Sequence, residues 1–470
     1  MLEVQELTIR SAAQSAAGPL VGPVGFAVPE GGSLVIMGET GAGKSLIAQA
    51  VMGSLPGGLS AGGAVVLDGQ RLDTLARRDR EALWGRRITL LPQEPWRALD
   101  PLMPSLAQVA ETHRLVRGQS AREARRSALT DFASLGLAGA EGRRPGELSG
   151  GMGQRVAFAA ARAGGGRLLL ADEPTKGLDR DRAAKILALL KETPAAGGAL
   201  IVITHDVGVA EAIGGAILVL KSGRTVEAGA TAEVLARPQN AYTRALIEAA
   251  PKTWAKLPRP DPGPALIEAD RLTVGRGGTA LIEDVSLTLR LRERVALVGP
   301  SGIGKSSLLD TLAGLIPPLA GSVRKSPDIG AHGLQKIYQD PPSAFAPRVS
   351  LGTGLRDVAR RHRVDWSRIA GLLESLKIDE ALLARRPDAV SGGELQRISI
   401  ARVLAVAPKV LFADEPTSRL DPLTQKETMT LLSETAEAMD TAVLLVTHDT
   451  DLATAWAGRT VDLVAPPSHA

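Results

Sequence analysis

Two glycine-rich segments carry the residue types that hold nucleotide phosphates. Gly38-Glu-Thr-Gly-Ala-Gly-Lys44-Ser45 and Gly299-Pro-Ser-Gly-Ile-Gly-Lys305-Ser306 each follow an apolar run and precede a helix-like pattern. In G-x-x-x-x-G-K-[ST], backbone N–H groups turn toward phosphates, the lysine reaches the terminal phosphates and the hydroxyl holds Mg²⁺. We predict that these residues bind a nucleotide: Gly38, Gly41, Gly43, Lys44 and Ser45, and Gly299, Gly302, Gly304, Lys305 and Ser306.

Adjacent carboxylates follow in each half, at the end of an apolar run. Asp172-Glu173 ends Leu-Leu-Leu-Ala, and Asp414-Glu415 ends Val-Leu-Phe-Ala. At the carboxyl end of a buried strand the first carboxylate can reach Mg²⁺ and the second can face the terminal phosphate. We therefore predict Asp172 and Asp414 as metal ligands, and Glu173 and Glu415 as the groups that polarise an attacking water.

A Ser-Gly-Gly segment, here called the signature segment, precedes each pair of carboxylates. The two sets are Ser149, Gly150 and Gly151, and Ser391, Gly392 and Gly393. Each leads into a helical pattern, so that a hydroxyl, bare backbone N–H groups and a helix N-terminus are available to an anion. A lone Ser-Gly-Gly is more often a flexible turn, but its recurrence at the same place in both halves indicates phosphate binding.

The order of these motifs repeats once along the chain. Short apolar runs alternate with longer helical patterns in both halves, which predicts an α/β fold with a mostly parallel sheet, twice. The second copy is shorter between its lysine and Gln339, where the first holds the turn-rich stretch Pro56–Asp68, so we expect a reduced β subdomain there. Five prolines within 251–264 predict a spacer. The predicted domains are 1–250 and 265–470, joined by 251–264.

Composition excludes several protein classes. Among 470 residues there is no cysteine, which rules out disulfides, iron–sulfur clusters and thiolate zinc sites. The net charge of +4 is spread along the chain, so no basic tract indicates nucleic acid as a partner. No apolar run is long enough for a membrane span and the start lacks a signal-peptide pattern, so we expect a protein of the cytosol.

The complete set of motifs resembles the ATP-binding-cassette (ABC) ATPase family over essentially the whole chain. The resemblance implies two tandem P-loop NTPase domains, each with an antiparallel β subdomain and a helical signature subdomain, which bind ATP and Mg²⁺. It implies that Gln93 and Gln339 contact Mg²⁺ or water, and that His205 and His448 contact the γ-phosphate and the attacking water. It also implies that the two cassettes of one chain pair, with the signature segment of each completing the other's site.

Finer resemblance narrows the subfamily. Gln93–Pro101 and Gln339–Pro347 resemble the glutamine loops of oligopeptide, dipeptide and nickel importers, and Arg237–Arg244 resembles the Pro-x-x-x-Tyr-Thr tail of that family. The resemblance implies an importer ATPase for a peptide-like, opine-like or nickel or metal-chelate solute. It implies two transmembrane permease subunits, an extracytoplasmic solute-binding protein and a peripheral position on the cytoplasmic face of the inner membrane. We expect Trp96, Leu99 and Phe345 to offer the permease an exposed apolar surface.

Two alternatives share the nucleotide motifs. One is a soluble tandem cassette that acts on ribosomes or DNA; its usual long charged linker, coiled coil or zinc ribbon has no counterpart here. The other is a cassette pair in phosphonate metabolism.

Neither 7–17 nor 272–280 contains an aromatic residue that could stack on adenine, and Met152-Gly153 and Lys176-Gly177 differ from the commoner family residues. The sequence therefore leaves open whether the two sites are equally active.

Overall fold

The computed structural model describes residues 1–12, 18–259, 261–300, 302–418 and 420–463. It divides into two compact units, Met1–Glu248 and Ala249–Ala470. The second unit therefore includes the expected spacer: Leu257 N–H donates to Ala455 O at 2.9 Å, and Trp254 and Leu257 pack against that unit's core. Pro260 of the spacer, Ser301 of the second glycine-rich segment and residues 13–17 lie outside the described residues.

The first unit contains an antiparallel sheet of order β2-β1-β4-β5 and a second sheet of order β10-β9-β3-β8-β7-β6. In the second sheet β9, β3, β8, β7 and β6 run parallel and β10 is antiparallel to β9. The strands are β1 (Leu2–Ser11), β2 (Val21–Val28), β3 (Ser33–Met37), β4 (Leu59–Leu67), β5 (Gln70–Arg71), β6 (Ile88–Leu91), β7 (Leu168–Asp172), β8 (Ala199–Thr204), β9 (Ala216–Lys221) and β10 (Arg224–Ala230).

Helices cover this parallel sheet and form a separate helical region between β6 and β7. They are α1 (Lys44–Met52), α2 (Arg77–Glu81), α3 (Ser105–Arg117), α4 (Ala121–Ser134), α5 (Gly150–Ala163), α6 (Arg180–Ala195), α7 (Val207–Ile213), α8 (Thr231–Ala236) and α9 (Ala241–Glu248). Short 3₁₀ turns lie at Pro95–Ala98 and Pro145–Glu147. Every residue of β7 and β8 is buried, as expected for parallel strands covered on both faces.

The second unit repeats this arrangement with an antiparallel sheet of order β12-β11-β14 and a parallel sheet of order β15-β16-β17-β13-β18. Its strands are β11 (Ala265–Arg276), β12 (Thr279–Arg290), β13 (Arg294–Val298), β14 (Ala320–Lys325), β15 (Leu334–Ile337), β16 (Val410–Asp414), β17 (Ala442–Val446) and β18 (Arg459–Asp462). Its helices are α10 (Lys305–Ala313), α11 (Leu351–His362), α12 (Trp366–Ser375), α13 (Gly392–Leu404), α14 (Pro422–Ala438) and α15 (Thr450–Trp456). Its 3₁₀ turns are Pro251–Thr253, Pro327–Ile329, Pro341–Ala344, Glu380–Ala384 and Pro387–Ala389.

The α/β prediction is confirmed in both units, and within the described residues the antiparallel sheet of the second lacks a counterpart of β5. In each unit the strand before the glycine-rich segment, the strand before the carboxylates and the strand between them are adjacent and parallel. Their carboxyl ends therefore meet at one edge of the sheet, where a nucleotide site is expected in such folds. No helix among the described residues is long and apolar enough to cross a membrane.

Candidate nucleotide-binding sites

The glycine-rich segments form tight loops between β3 and α1 and between β13 and α10. Gly43 and Gly304, which immediately precede the two helices, have φ values of 93° and 112°, a region that glycine adopts without strain. A Cβ atom on Gly38 would lie 2.2 Å from the Leu220 carbonyl oxygen, and one on Gly43 would lie 2.4 Å from Val21 Cγ2. The glycines at these positions are thus required by backbone conformation and close approach.

The two lysines are held inside their own loops. Lys44 Nζ donates to the carbonyl oxygens of Gly38 at 2.7 Å and Glu39 at 2.9 Å. Lys305 Nζ makes the same contacts to Gly299 at 2.8 Å and Pro300 at 3.0 Å. Both side chains are buried, with 7% and 6% of the residue exposed. Each ammonium is therefore positioned at the loop that would surround the phosphates.

The first unit offers ligands suited to a magnesium ion. The Ser45 hydroxyl hydrogen-bonds to the Asp172 carboxylate, whose pKa is raised above its usual value, chiefly by burial. Among the described residues, Asp172 Oδ1 is a buried atom without a hydrogen-bond partner. A buried carboxylate oxygen that lacks a donor is costly unless a cation or water satisfies it, so Ser45 and Asp172 fit the oxygen ligands that Mg²⁺ prefers.

Glu173 lies beside this carboxylate and pairs with His205. Its backbone has φ of 48°, and its N–H donates to Ile203 O at 2.8 Å, which turns the side chain away from the strand direction. His205 Nδ1 lies 2.6 Å from Glu173 Oε1. Burial opposes ionisation, but the positive charge and hydrogen bond of His205 outweigh it and hold the pKa of Glu173 below its usual value. An ionised carboxylate next to an imidazole can accept a proton from water.

The second unit repeats this pair and adds a third partner. His448 Nδ1 lies 3.1 Å from Glu415 Oε1, and Gln339 Nε2 donates to Glu415 Oε2 at 2.9 Å. Burial opposes ionisation of Glu415, but the hydrogen bond and charge of His448 hold its pKa below the usual value. Burial likewise lowers the pKa of His448, and the Glu415 contact more than reverses this and raises it. The carboxylate and imidazole therefore favour their charged forms together.

The two glutamine loops differ in whether the glutamine contacts the glutamate of its own site. Their apolar side chains are also less exposed than predicted. Gln93 is exposed and, within the described part of the chain, makes no hydrogen bond to Glu173. The expectation that Trp96, Leu99 and Phe345 are exposed is wrong: Leu99 is 8% exposed and the other two are half-buried. The turn Pro95–Ala98 packs Trp96 against α5, where a Cβ on Gly153 would lie 3.3 Å from Trp96 Cβ. Leu102, 79% exposed, is the apolar side chain that this loop region presents to solvent.

The signature serines begin helices α5 and α13, and both are exposed. Ser149 Oγ accepts from Met152 N–H at 3.4 Å. Ser391 Oγ accepts from Glu394 N–H at 3.3 Å and donates to Glu394 Oε2 at 2.8 Å, which forms a capping box. Gly150 and Gly392 are also exposed, whereas Gly151 and Gly393 are buried, so an anion can reach the first helical residue of each segment.

Sequence reasoning recognised Tyr242 only as part of a family tail, and the structure gives it a contact in the first site. Tyr242 lies in the first turn of α9 and is 8% exposed. Its hydroxyl accepts a hydrogen bond from the Glu39 backbone N–H at 2.9 Å. The Lys221 ammonium lies 4.8 Å from its ring centre. The tail thus fastens the first glycine-rich loop. The Pro-x-x-x-Tyr-Thr pattern marks this segment in the sequence, but the separation of 203 residues between Glu39 and Tyr242 gives no indication of the contact.

Comparison with known proteins identifies the family of this chain. The ABC transporter family profile matches residues 21–176 and 282–418. The chain is 32% identical to the peptidoglycan transport ATP-binding protein YejF of Agrobacterium fabrum, over 96% of this chain and 88% of that protein. It is also 32% identical to the glutathione import ATP-binding protein GsiA of Pectobacterium atrosepticum, over 96% of this chain and 82% of that protein.

A solved structure supports the fold alone. The archaeal ribosome recycling factor aABCE1, in complex with the ribosomal stalk protein aP1, superposes with a TM-score of 0.66 at 21% identity, over 93% of this chain and 84% of that chain.

The two matched profile segments together contain both glycine-rich loops and both pairs of carboxylates. The chain therefore belongs to the ABC transporter family and is an ATPase with two ATP-binding cassettes.

Proposed function

We propose that the protein is the ATP-hydrolysing subunit of a membrane importer for a peptide-like solute. The main support for ATP hydrolysis is the buried glutamate–histidine pair at the sheet edge of each unit. The pairs are Glu173 with His205 and Glu415 with His448. Two such pairs, each following a glycine-lysine loop in the same fold, favour a hydrolase over a domain that only binds nucleotide.

Each residue has a distinct task in this proposal. Lys44 and Lys305 exchange their loop carbonyl partners for phosphate oxygens, which stabilises the charge that develops during phosphoryl transfer. Glu173 and Glu415 accept a proton from the attacking water, and His205 and His448 orient that carboxylate through their Nδ1 contacts. Gln339 fixes the second oxygen of Glu415, while Gln93 is free to approach Glu173 when a nucleotide is bound. The signature segments Ser149–Gly151 and Ser391–Gly393 supply backbone N–H groups to phosphate.

Magnesium completes the proposed chemistry. Ser45 and Asp172 would hold it in the first cassette, Ser306 and Asp414 in the second, with Gln93 and Gln339 as further oxygen ligands. When bound, the ion offsets the charge on the β- and γ-phosphates. In the first cassette the hydrogen bond between Ser45 and Asp172 keeps these two ligands together before the nucleotide arrives.

The solute class rests on the two relatives. One relative is named for peptidoglycan transport and the other for glutathione import, and both solutes contain peptide bonds, whereas neither name refers to nickel or an opine. The ribosomal alternative draws only on a structural likeness at 21% identity, which supports the fold and not the partner. We therefore favour a peptide-like solute, delivered by an extracytoplasmic binding protein to two permease subunits, with this chain at the cytoplasmic face of the membrane.

Leu102 gives a direct test of the permease partner. It follows the first glutamine loop and is 79% exposed, so a charge there alters a protein contact without removing core packing. Leu102→Glu should leave the ATP turnover of the purified chain unchanged but abolish co-isolation with the permease and uptake of peptides by cells. Leu315→Glu is the matched control, because Leu315 is 71% exposed and lies after α10, outside the glutamine loops. Peptide uptake by the Leu102→Glu variant at the normal rate would contradict the proposed docking position.

A further inference from the structure

At the second site a lysine forms an ion pair with the aspartate assigned to magnesium, and among the described residues Asp172 of the first site has no such ion pair. Lys336, on β15, places Nζ 2.9 Å from Asp310 Oδ1 on α10 and 3.3 Å from Asp414 Oδ2 at the end of β16. All three side chains are largely buried, with 11%, 19% and 9% of the side chain exposed. The ammonium also lies 5.5 Å from the ring centre of Tyr338. A cation is therefore fixed against the carboxylate assigned to magnesium.

The first unit has uncharged residues at both equivalent positions. Asp310 comes five residues after Lys305, and the residue five after Lys44 is Gln49. Lys336 comes three residues before Gln339, and the residue three before Gln93 is Leu90. The two opposite charges are thus present together in one cassette and absent together from the other.

Packing stability alone is a weak explanation for this cluster. Removing two or three charges from water is costly, and a buried ion pair often stabilises a fold no better than apolar residues of similar size. Asp310 also lies 3.8 Å from Arg276, so one cation already accompanies that carboxylate. What Lys336 adds is a contact with Asp414, at the edge of the sheet where the phosphate loop and Glu415 meet.

We propose that Lys336 is a positioning residue that holds Asp414 and offsets its charge, so that the second cassette needs more Mg²⁺ than the first to bind ATP. The inference rests on the proposed role of Asp414. A carboxylate shared with an ammonium exerts a weaker attraction on a divalent cation at the same site. Asp310 moderates the effect, because its negative charge offsets part of the positive charge of Lys336.

The test measures nucleotide binding and requires no turnover. In the full-length chain with Lys44→Ala, which restricts nucleotide binding to the second cassette, a fluorescent ATP analogue is titrated with Mg²⁺. Lys336→Met should lower the half-saturating Mg²⁺ concentration by about tenfold, whereas Lys336→Arg should keep it near the original value. Asp310→Asn should raise it, because Lys336 then acts on Asp414 alone.

Controls separate this inference from the proposed function. Lys377→Met removes another paired lysine of the same unit, 65% exposed and 3.1 Å from Glu427, and should leave the Mg²⁺ requirement unchanged. If Asp414→Asn changes the requirement but Lys336→Met and Asp310→Asn do not, the inference is wrong and the role of Asp414 stands. If Asp414→Asn has no effect, the assignment of Asp414 to magnesium fails as well. If Lys336→Met does not fold, the opposite shift expected for Asp310→Asn decides the matter.

Discussion

Tyr242→Phe removes a single hydroxyl that joins the tail of the first cassette to its phosphate loop. The ring is kept, and the hydrogen bond from Glu39 N–H to the hydroxyl is lost. One hydrogen bond of this kind contributes about 1 kcal/mol. If it orders the loop for phosphate binding, ATP affinity at the first site should fall about fivefold, since about 1.4 kcal/mol corresponds to tenfold. Unfolding of this unit should shift by about 2–4 °C.

The assay is an equilibrium titration with ATP in the Lys305→Ala background, which confines binding to the first site. Tyr338→Phe is a suitable control, because Tyr338 is 48% exposed and lies in the other unit. Unchanged ATP affinity of the Tyr242→Phe variant would refute the idea that the tail orders the loop, even if the melting temperature fell. In that event the hydroxyl would only hold α9 in place.

Three further predictions concern the sites themselves. The double variant Glu173→Gln and Glu415→Gln should lose about 10²–10⁴-fold in phosphate release while binding ATP normally, because a general base acts in the transition state; equal loss of binding would contradict the assignment. The contact with Glu415 raises the pKa of His448. The contribution of this contact to the free energy of unfolding is therefore fully present below pH about 6.5 and is lost as the pH rises through the raised pKa. The melting-temperature difference between the parent and His448→Gln should therefore decrease from pH 6 to pH 9. An increase over this range would contradict the raised pKa of His448. Gly43→Ala, at φ 93° with Val21 Cγ2 2.4 Å from the new Cβ, should destabilise by about 1–3 kcal/mol and weaken ATP binding. Gly57→Ala, which meets nothing within 4 Å, should do neither.

The parts of the fold that sequence predicts are those fixed by local spacing. A glycine-rich loop between a strand and a helix determines where Lys44 and Lys305 lie, because the loop geometry is set by the glycines. Apolar runs that end in Asp-Glu place their carboxylates at the sheet edge for the same reason. The glutamate–histidine contacts were not predicted, because the family resemblance implied histidine contacts with the γ-phosphate and the attacking water instead.

Other features depend on contacts between distant residues, which spacing alone does not reveal. Trp96 and Leu99 read as exposed because their segment is rich in proline, yet a 3₁₀ turn folds them onto the helical region. The contact of Lys336 with Asp414 depends on the pairing of β15 with β16, and α10 adds Asp310 to the cluster. The Tyr242 contact spans almost the whole first unit. The pairing of the two cassettes expected from the family resemblance stays a prediction.

The most direct test of the importer proposal is ATP turnover in proteoliposomes that contain this chain and its permease. The account predicts that a peptide-loaded binding protein on the far side of the membrane increases phosphate release. It also predicts that the double variant Glu173→Gln and Glu415→Gln abolishes both the basal and the stimulated rates, whereas Glu374→Gln, at an exposed position on α12, changes neither. Phosphate release that is indifferent to permease and peptide, and increases instead with ribosomes, would contradict it.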